Sequence, residues 1–134
     1  MRTLAIAECG SCHDGDFSKA IRLVHAARDV GADICKFQFW SDPDALADRR
    51  RVPQHYREIY RRYRLPVEWL SSLRLECDAA EIEFMATTYL SQDIATVAPY
   101  VRRFKVSSFE AGDHKFIKAH RPFLENRKAN PKEI

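Results

Sequence analysis

Two lysines and a glutamate are set into otherwise apolar runs of this chain: Glu8 after Leu4 to Ala7, Lys36 within Ile34 to Phe39, and Lys105 between Phe104 and Val106. A charge buried unpaired in such a run costs several kcal/mol, so each needs a counter-charge or an anionic ligand. Hydroxyls and amides accompany them. Gln38 follows Lys36 by two residues, Thr87-Thr88-Tyr89 ends a third apolar run, and Ser107-Ser108-Phe109-Glu110 follows Lys105. Two ammonium groups, the hydroxyls of Thr87 and Ser108 and the amide of Gln38 suit a small, multiply anionic ligand such as a phosphorylated carboxylate. Glu8 would face that ligand as a base or charge stabiliser. The plainer reading of any one of these charges is a buried ion pair, Glu8 with Lys36 or Lys105, that only tolerates its place. Recurrence of such groups at the ends of four successive apolar runs favours a site.

Those residues meet only if the backbone brings four distant segments together. Leu4 to Cys9 reads as a strand, and Gly10 to Asp16 as turn chemistry. From Asp16, a candidate N-cap, the residues Phe17, Ala20, Ile21, Val24, Ala27 and Val30 recur at helical spacing, and Gly31 stands where a glycine closes a helix. Asp33 to Trp40 is a second strand, with Lys36 and Gln38 on one face by the period of two. Ser41 to Arg51 reads as a polar excursion. Two helical patterns follow: Tyr56, Ile59, Tyr60 and Tyr63, then Trp69, Leu70, Leu73 and Cys77, opened by Pro66. Ile82 to Thr87 is the third strand and Phe104 to Ser107 the fourth, with a short helix over Ser91 to Val101 between them. Asp113 caps a last helix running through Ile117 to Leu124.

Strand followed by helix, four times over, implies an α/β fold with a parallel sheet, and in such folds chemistry gathers at the carboxyl ends of the strands. Strand starts recur at about 33 residues, and a closed (β/α)8 TIM barrel takes roughly 250. The 134 residues therefore correspond to about the first four βα units of such a barrel. A doubly wound sheet would instead carry a glycine-rich phosphate turn after its first strand, which Gly10 to Gly15 does not fit.

Four segments carry a resemblance to the N-acetylneuraminate (sialic acid) synthase family. Ala7-Glu8-Cys9-Gly10-Ser11-Cys12-His13-Asp14-Gly15-Asp16 is similar to the family's A-E-I-G-x-N-H-x-G-D, and Gly31-Ala32-Asp33-Ile34-Cys35-Lys36-Phe37-Gln38 to its G-A-D-x-x-K-F-Q. Phe84-Met85-Ala86-Thr87-Thr88-Tyr89 is similar to F-x-S-T-P-F, and Phe104-Lys105-Val106-Ser107-Ser108-Phe109-Glu110 to F-K-I-x-S-G-E/D. The resemblance implies a transferase of sialic acid biosynthesis that condenses phosphoenolpyruvate with an N-acyl hexosamine such as N-acetylmannosamine. It also implies a divalent metal, manganese or magnesium, whose ligands belong to strands beyond this segment. By position, Lys36, Thr87, Lys105 and Ser108 would hold phosphoenolpyruvate, Glu8 would be catalytic, and Gln38 and Glu110 would line the substrate site. The expected domain is the N-terminal half of the barrel over residues 1–134, without the second half or the antifreeze-like C-terminal domain of bacterial members. Alone it would be inactive, self-associating or pairing with a missing half. The alternative is a non-catalytic or split half barrel acting as an interaction module. Departures from the motifs fall at Cys12 for Asn, Thr88 for Pro and Phe109 for Gly.

Two other features of the sequence compete with this reading. Cys9-Gly10-Ser11-Cys12-His13 is a literal C-x-x-C-H, the attachment pattern of c-type haem. Haem attachment of that kind needs export, and the only apolar run near the N-terminus, Leu4 to Ala7, is far too short for a secretory segment. Cytoplasmic location and reduced thiols at Cys9, Cys12, Cys35 and Cys77 are the resulting expectation. Arg49 to Arg64 holds seven arginines against one acid, Glu58, with tyrosines interleaved. That composition can bind nucleic acid, but the tyrosines fall at helical spacing with Ile59, which makes them an inner face and the arginines a solvated one. A net charge of +3, 46% apolar and 31% charged residues exclude a disordered or fibrous chain and a membrane-embedded one.

Overall fold

The computed structural model describes residues 3–124. Three strands, β1 (Ile6–Gly10), β2 (Ile34–Phe39) and β3 (Glu83–Thr88), form a parallel sheet in the order β1-β2-β3. Helix α1 (Phe17–Asp29) joins β1 to β2. Between β2 and β3 lie α2 (Pro43–Arg49), α3 (Gln54–Arg62) and α4 (Trp69–Ala79). After β3 come α5 (Ser91–Val97), a 3-10 turn (Ala98–Tyr100) and α6 (His114–Ala119).

Local chemistry sets the helix ends. The Asp16 carboxylate accepts from the Lys19 amide at 3.2 Å to open α1, and Gly31, at φ +79°, closes it in the left-handed region that glycine enters without a Cβ clash. The Asp113 carboxylate accepts from the Lys115 and Phe116 amides at 3.0 Å to start α6. Asp42 does the same for α2 through the Asp44 and Ala45 amides at 2.9 Å, with Pro43 in the first turn. The sequence reading took this stretch for an irregular excursion. With seven residues and only Leu46 and Ala47 buried, α2 is too short to show a helical period. Pro66 is likewise not the first residue of α4: its carbonyl accepts from the Trp69 amide at 3.1 Å, forming a turn ahead of the helix.

The fourth strand expected over Phe104 to Ser107 contracts to one parallel bridge between Thr87 and Lys105. Beyond that bridge the Ser107 hydroxyl is committed to the Glu110 carboxylate and the chain turns through residues 108–112, which ends the run before a ladder can form.

Alternation along the strands sorts the sheet into two chemically different faces. Cys9, Cys35, Phe37, Phe39, Phe84 and Ala86 pack with Ala20 and Val24 of α1 and Leu70, Leu73 and Cys77 of α4 in one core. Full burial of each large apolar side chain contributes roughly 1.5–3 kcal/mol. Glu8, Lys36, Gln38, Met85 and Thr87 alternate with them and belong to the opposite face. No helix of the described residues is long and apolar enough to cross a membrane.

Phe37 is fully buried with its ring 6.2 Å from that of Phe84. Phe37→Ala is expected to lower the unfolding free energy by about 3–5 kcal/mol in urea titrations, the usual cost of removing a buried phenyl group.

Candidate functional site

The register of the two strand pairs assembles the polar face. Glu8 on β1 is level with Lys36 on β2, and Gln38 is level with Thr87 on β3, which in turn bridges to Lys105. Lys36 is 7% exposed and its ammonium is ion-paired with the Glu8 carboxylate. It also donates to the Thr87 hydroxyl at 3.5 Å. Of the two ion pairs that the sequence allowed for Glu8, the one with Lys36 forms.

Pairing between β1 and β2 shifts at Glu8/Gly10, and Gly10 takes φ +50°. A Cβ there would lie 3.4 Å from the Glu8 carboxylate and 3.8 Å from the Gln38 amide carbon. Those are ordinary contacts, so it is the positive φ rather than crowding that favours glycine here. The Ser11 hydroxyl, one residue on, donates to the Gln38 amide oxygen at 3.2 Å and fixes its direction.

Beside this row lies a cleft of about 430 Å³ lined by Ser11, Gln38, Ser107 and Ser108, with an aromatic wall of Trp40, Tyr60, Tyr63 and Tyr89. Trp40 meets Tyr60 and Tyr89 edge-on, and its indole N–H donates to the Tyr60 carbonyl at 2.9 Å, so the wall is built rather than incidental. Arg50 of the α2 C-cap enters the same cleft with its guanidinium between the rings of Tyr89, at 4.8 Å, and Phe109, at 4.9 Å.

The expected residues are not all brought together. Lys105 is exposed and its ammonium donates to the Val106 carbonyl at 2.8 Å, so only its backbone joins the row. Glu110 is fully buried and does not line the cleft. Its carboxylate accepts from Arg50 at 3.3 Å through both oxygens and from the Ser107 hydroxyl, and the Arg49 guanidinium lies 3.8 Å away. Glu110 thus stands behind the cleft, holding Arg50 and Ser107.

Sequence reasoning missed Arg50, which it placed on a solvated face. Arg51, Arg61, Arg62 and Arg64 are exposed as that reading expects, whereas Arg49 turns to Asp113 at 2.8 Å and Arg57 to Asp48. Of the tyrosines read as an inner face, Tyr60 packs on Trp40 while Tyr56 is 48% exposed. The Asp42-Pro43 pair, a cap followed by an N-terminal proline, was the signal that could have revealed α2 and with it Arg50.

His13, in the loop after β1, is fully buried, edge-on to Trp69 at 5.4 Å, and its Nδ1 accepts from the Gly15 amide at 3.0 Å. Burial holds its pKa below the usual 6.5 and keeps the ring neutral. Among the described residues no group of three or more His, Cys, Asp or Glu side chains converges to hold a metal ion, so these residues by themselves do not furnish a site for the divalent cation implied by the resemblance.

A parallel sheet with polar groups gathered at the carboxyl ends of its strands defines an α/β protein, and superposition on a solved structure relates it to the TIM-barrel type. The N-acetylneuraminic acid (sialic acid) synthetase of Leptospira borgpetersenii superposes with a TM-score of 0.74 at 17% identity, over 96% of this chain and 52% of that one. The chain belongs to the NeuB family, whose sequence profile matches residues 23–125. Among its relatives, a pseudaminic acid synthase of Campylobacter jejuni is 26% identical over 87% of this chain and 37% of that protein. An N,N'-diacetyllegionaminic acid synthase of Legionella pneumophila is 31% identical over 82% of this chain and 34% of that protein. The chain thus spans about a third of the length of these relatives.

Because the folded state binds a proton at His13 less readily than the unfolded chain, stability is complete above pH 6.5 and is lost as the pH falls from there toward the folded-state value. Unfolding free energies measured from pH 7.5 to 5 are expected to decline, and His13→Gln is expected to flatten that limb.

Proposed function

We propose that this chain is the phosphoenolpyruvate-binding portion of a nonulosonic acid synthase. The reaction joins C3 of phosphoenolpyruvate to the aldehyde carbon of an open-chain N-acyl hexosamine, adds water at C2 and releases phosphate. The observation that supports the reading best is Lys36: an ammonium at 7% exposure, on a strand where a nonpolar residue would pack at no electrostatic cost, beside a counter-ion that is itself half exposed.

Glu8 makes that burial tolerable while the site is empty of substrate. Its own side chain is 52% exposed, so it is displaced into water at little cost when a stronger anion arrives. The phosphate or carboxylate of phosphoenolpyruvate then takes its place on Lys36 and the Thr87 hydroxyl, with Ser108 at the cleft wall. Lys105, whose backbone bridges to Thr87, turns on its flexible stem from the Val106 carbonyl to the ligand. The released Glu8 carboxylate becomes the base for the attacking water or the sugar hydroxyl. Gln38, steered by Ser11, and the aromatic wall receive the open-chain acceptor sugar, whose C–H groups and N-acyl methyl pack on aromatic side chains. Preorganised cations facing the charge of the departing phosphate supply the catalytic electrostatics.

The same reading makes the chain the N-terminal half of a barrel, its remaining strands and the metal ligands coming from a second half. Ile6, 44% exposed on the β1 edge, belongs to the surface that the second half would cover. Sedimentation of the isolated chain is expected to show self-association that a hydrophilic Ile6→Lys change reduces.

Phosphoenolpyruvate at ten times its dissociation constant is expected to stabilise the chain by about 1.4 kcal/mol, read as a rise in Tm. Lys36→Met should abolish the rise while leaving the fold intact, since the exposed Glu8 is left in water. A full rise in Lys36→Met, or none in the parent chain, would remove the basis of the proposal.

A further inference from the structure

The C-x-x-C-H segment takes no part in the function proposed above, yet the fold gives it company. Cys9 lies in the register shift at the end of β1, and its Sγ is 3.4 Å from the Sγ of Cys35 on the neighbouring strand. Cys9 is 5% exposed and Cys35 fully buried. Cys12 is exposed, and its amide donates to the Cys9 carbonyl at 3.0 Å, so a tight turn joins the exposed thiol to the buried pair. Cys9 and Cys12 stand where the family motif has Ile and Asn, so the synthase chemistry does not require either.

We propose that Cys9 and Cys35 are a redox modification site, closing to a reversible disulfide by exchange with a low-molecular-weight disulfide that enters at Cys12. A bond of about 2.05 Å requires the two sulfurs to approach by little more than an ångström, and the shifted register at Cys9 is the place where β1 can yield. The hydrogen bond with Cys35 holds the Cys9 thiol below its usual pKa, whereas bonds to Cys77 and Cys9 raise that of Cys35. Cys9 is therefore the more readily ionised sulfur of the pair and its nucleophile.

The steps balance. The Cys12 thiolate attacks the external disulfide, whose S–S bond breaks to release one thiolate. Cys9 attacks the Cys12 sulfur of the mixed disulfide and expels the second. Cys35 attacks the Cys9 sulfur, its proton going to the departing Cys12 sulfur, which is returned as a thiol. Two protein thiols are oxidised, the external disulfide is reduced to two thiols, and two protons are transferred overall.

The test uses the whole chain incubated with oxidised glutathione, then thiol blocking and disulfide mapping by mass spectrometry. The expected product is lighter by two hydrogens, carries a Cys9–Cys35 link with Cys12 free, and reverts with dithiothreitol. Cys12→Ser, a change at an exposed position, is expected to keep the parent Tm and slow the link about tenfold. Cys35→Ser is expected to stop at a Cys9–Cys12 link or a Cys12 adduct. A final product in the parent chain that is a Cys12 adduct, a Cys9–Cys12 link or a Cys35–Cys77 link overturns the proposal, as does an unchanged rate in Cys12→Ser. None of these outcomes depends on phosphoenolpyruvate binding, so the synthase reading stands or falls separately.

Discussion

Lys36 carries its ammonium almost wholly out of water, and the structure around it answers that one cost. Removing a lone cation from water is unfavourable by several kcal/mol even after relaxation, and Glu8 on the adjacent strand supplies the counter-charge. That arrangement dictates the register of β1 on β2, because sliding either strand by one residue would turn every side chain to the wrong face and leave the lysine among the phenyl rings of the helical side. Just past Glu8 the pairing shifts, and Gly10 takes there the positive φ that glycine enters most easily. The Thr87 hydroxyl then extends the polar row onto β3.

A second set of ion pairs does for the loops what the first does for the strands. Glu110, fully buried, is approached by two guanidiniums and a hydroxyl, and Arg49 continues to Asp113, the cap of α6. The carboxylate thereby ties α2 to the segment after the Thr87–Lys105 bridge. Phe109 gains a purpose here. A glycine at that position would remove one of the two aromatic contacts of the Arg50 guanidinium, which lies 4.8 Å from the Tyr89 ring and 4.9 Å from the Phe109 ring. What a shorter residue gives in backbone access, this chain gives in a fixed cation.

How much of this was readable in advance follows from the range of each interaction. Strand positions and the shared face of Lys36 and Gln38 follow from a period of two and from local burial, and α1 from a cap, a 3.6 period and a closing glycine. Those signals are local and were legible. The partner of Glu8 was narrowed to two lysines but not chosen, because register is decided between strands. The fourth strand and the inward turn of Glu110 were misjudged for the same reason: a serine and two arginines from another helix outbid the ladder. Helix α2 failed differently, since seven residues do not display a period, and its only announcement was the Asp42-Pro43 pair.

The two ion-pair systems differ in one respect that bears on function. Glu110 has no solvent to return to, so releasing Arg50 would strand a charge in the interior, and its network is structural in any state of the protein. Glu8 is half exposed, and letting go of Lys36 costs it only the attraction, which water repays in part. A buried cation whose partner can leave cheaply is poised to exchange one anion for another. A buried anion whose partners cannot leave is a fixture. The chain places the half-exposed pair on the sheet and the fully enclosed one in the surrounding loops, so that loosening the first need not loosen the second.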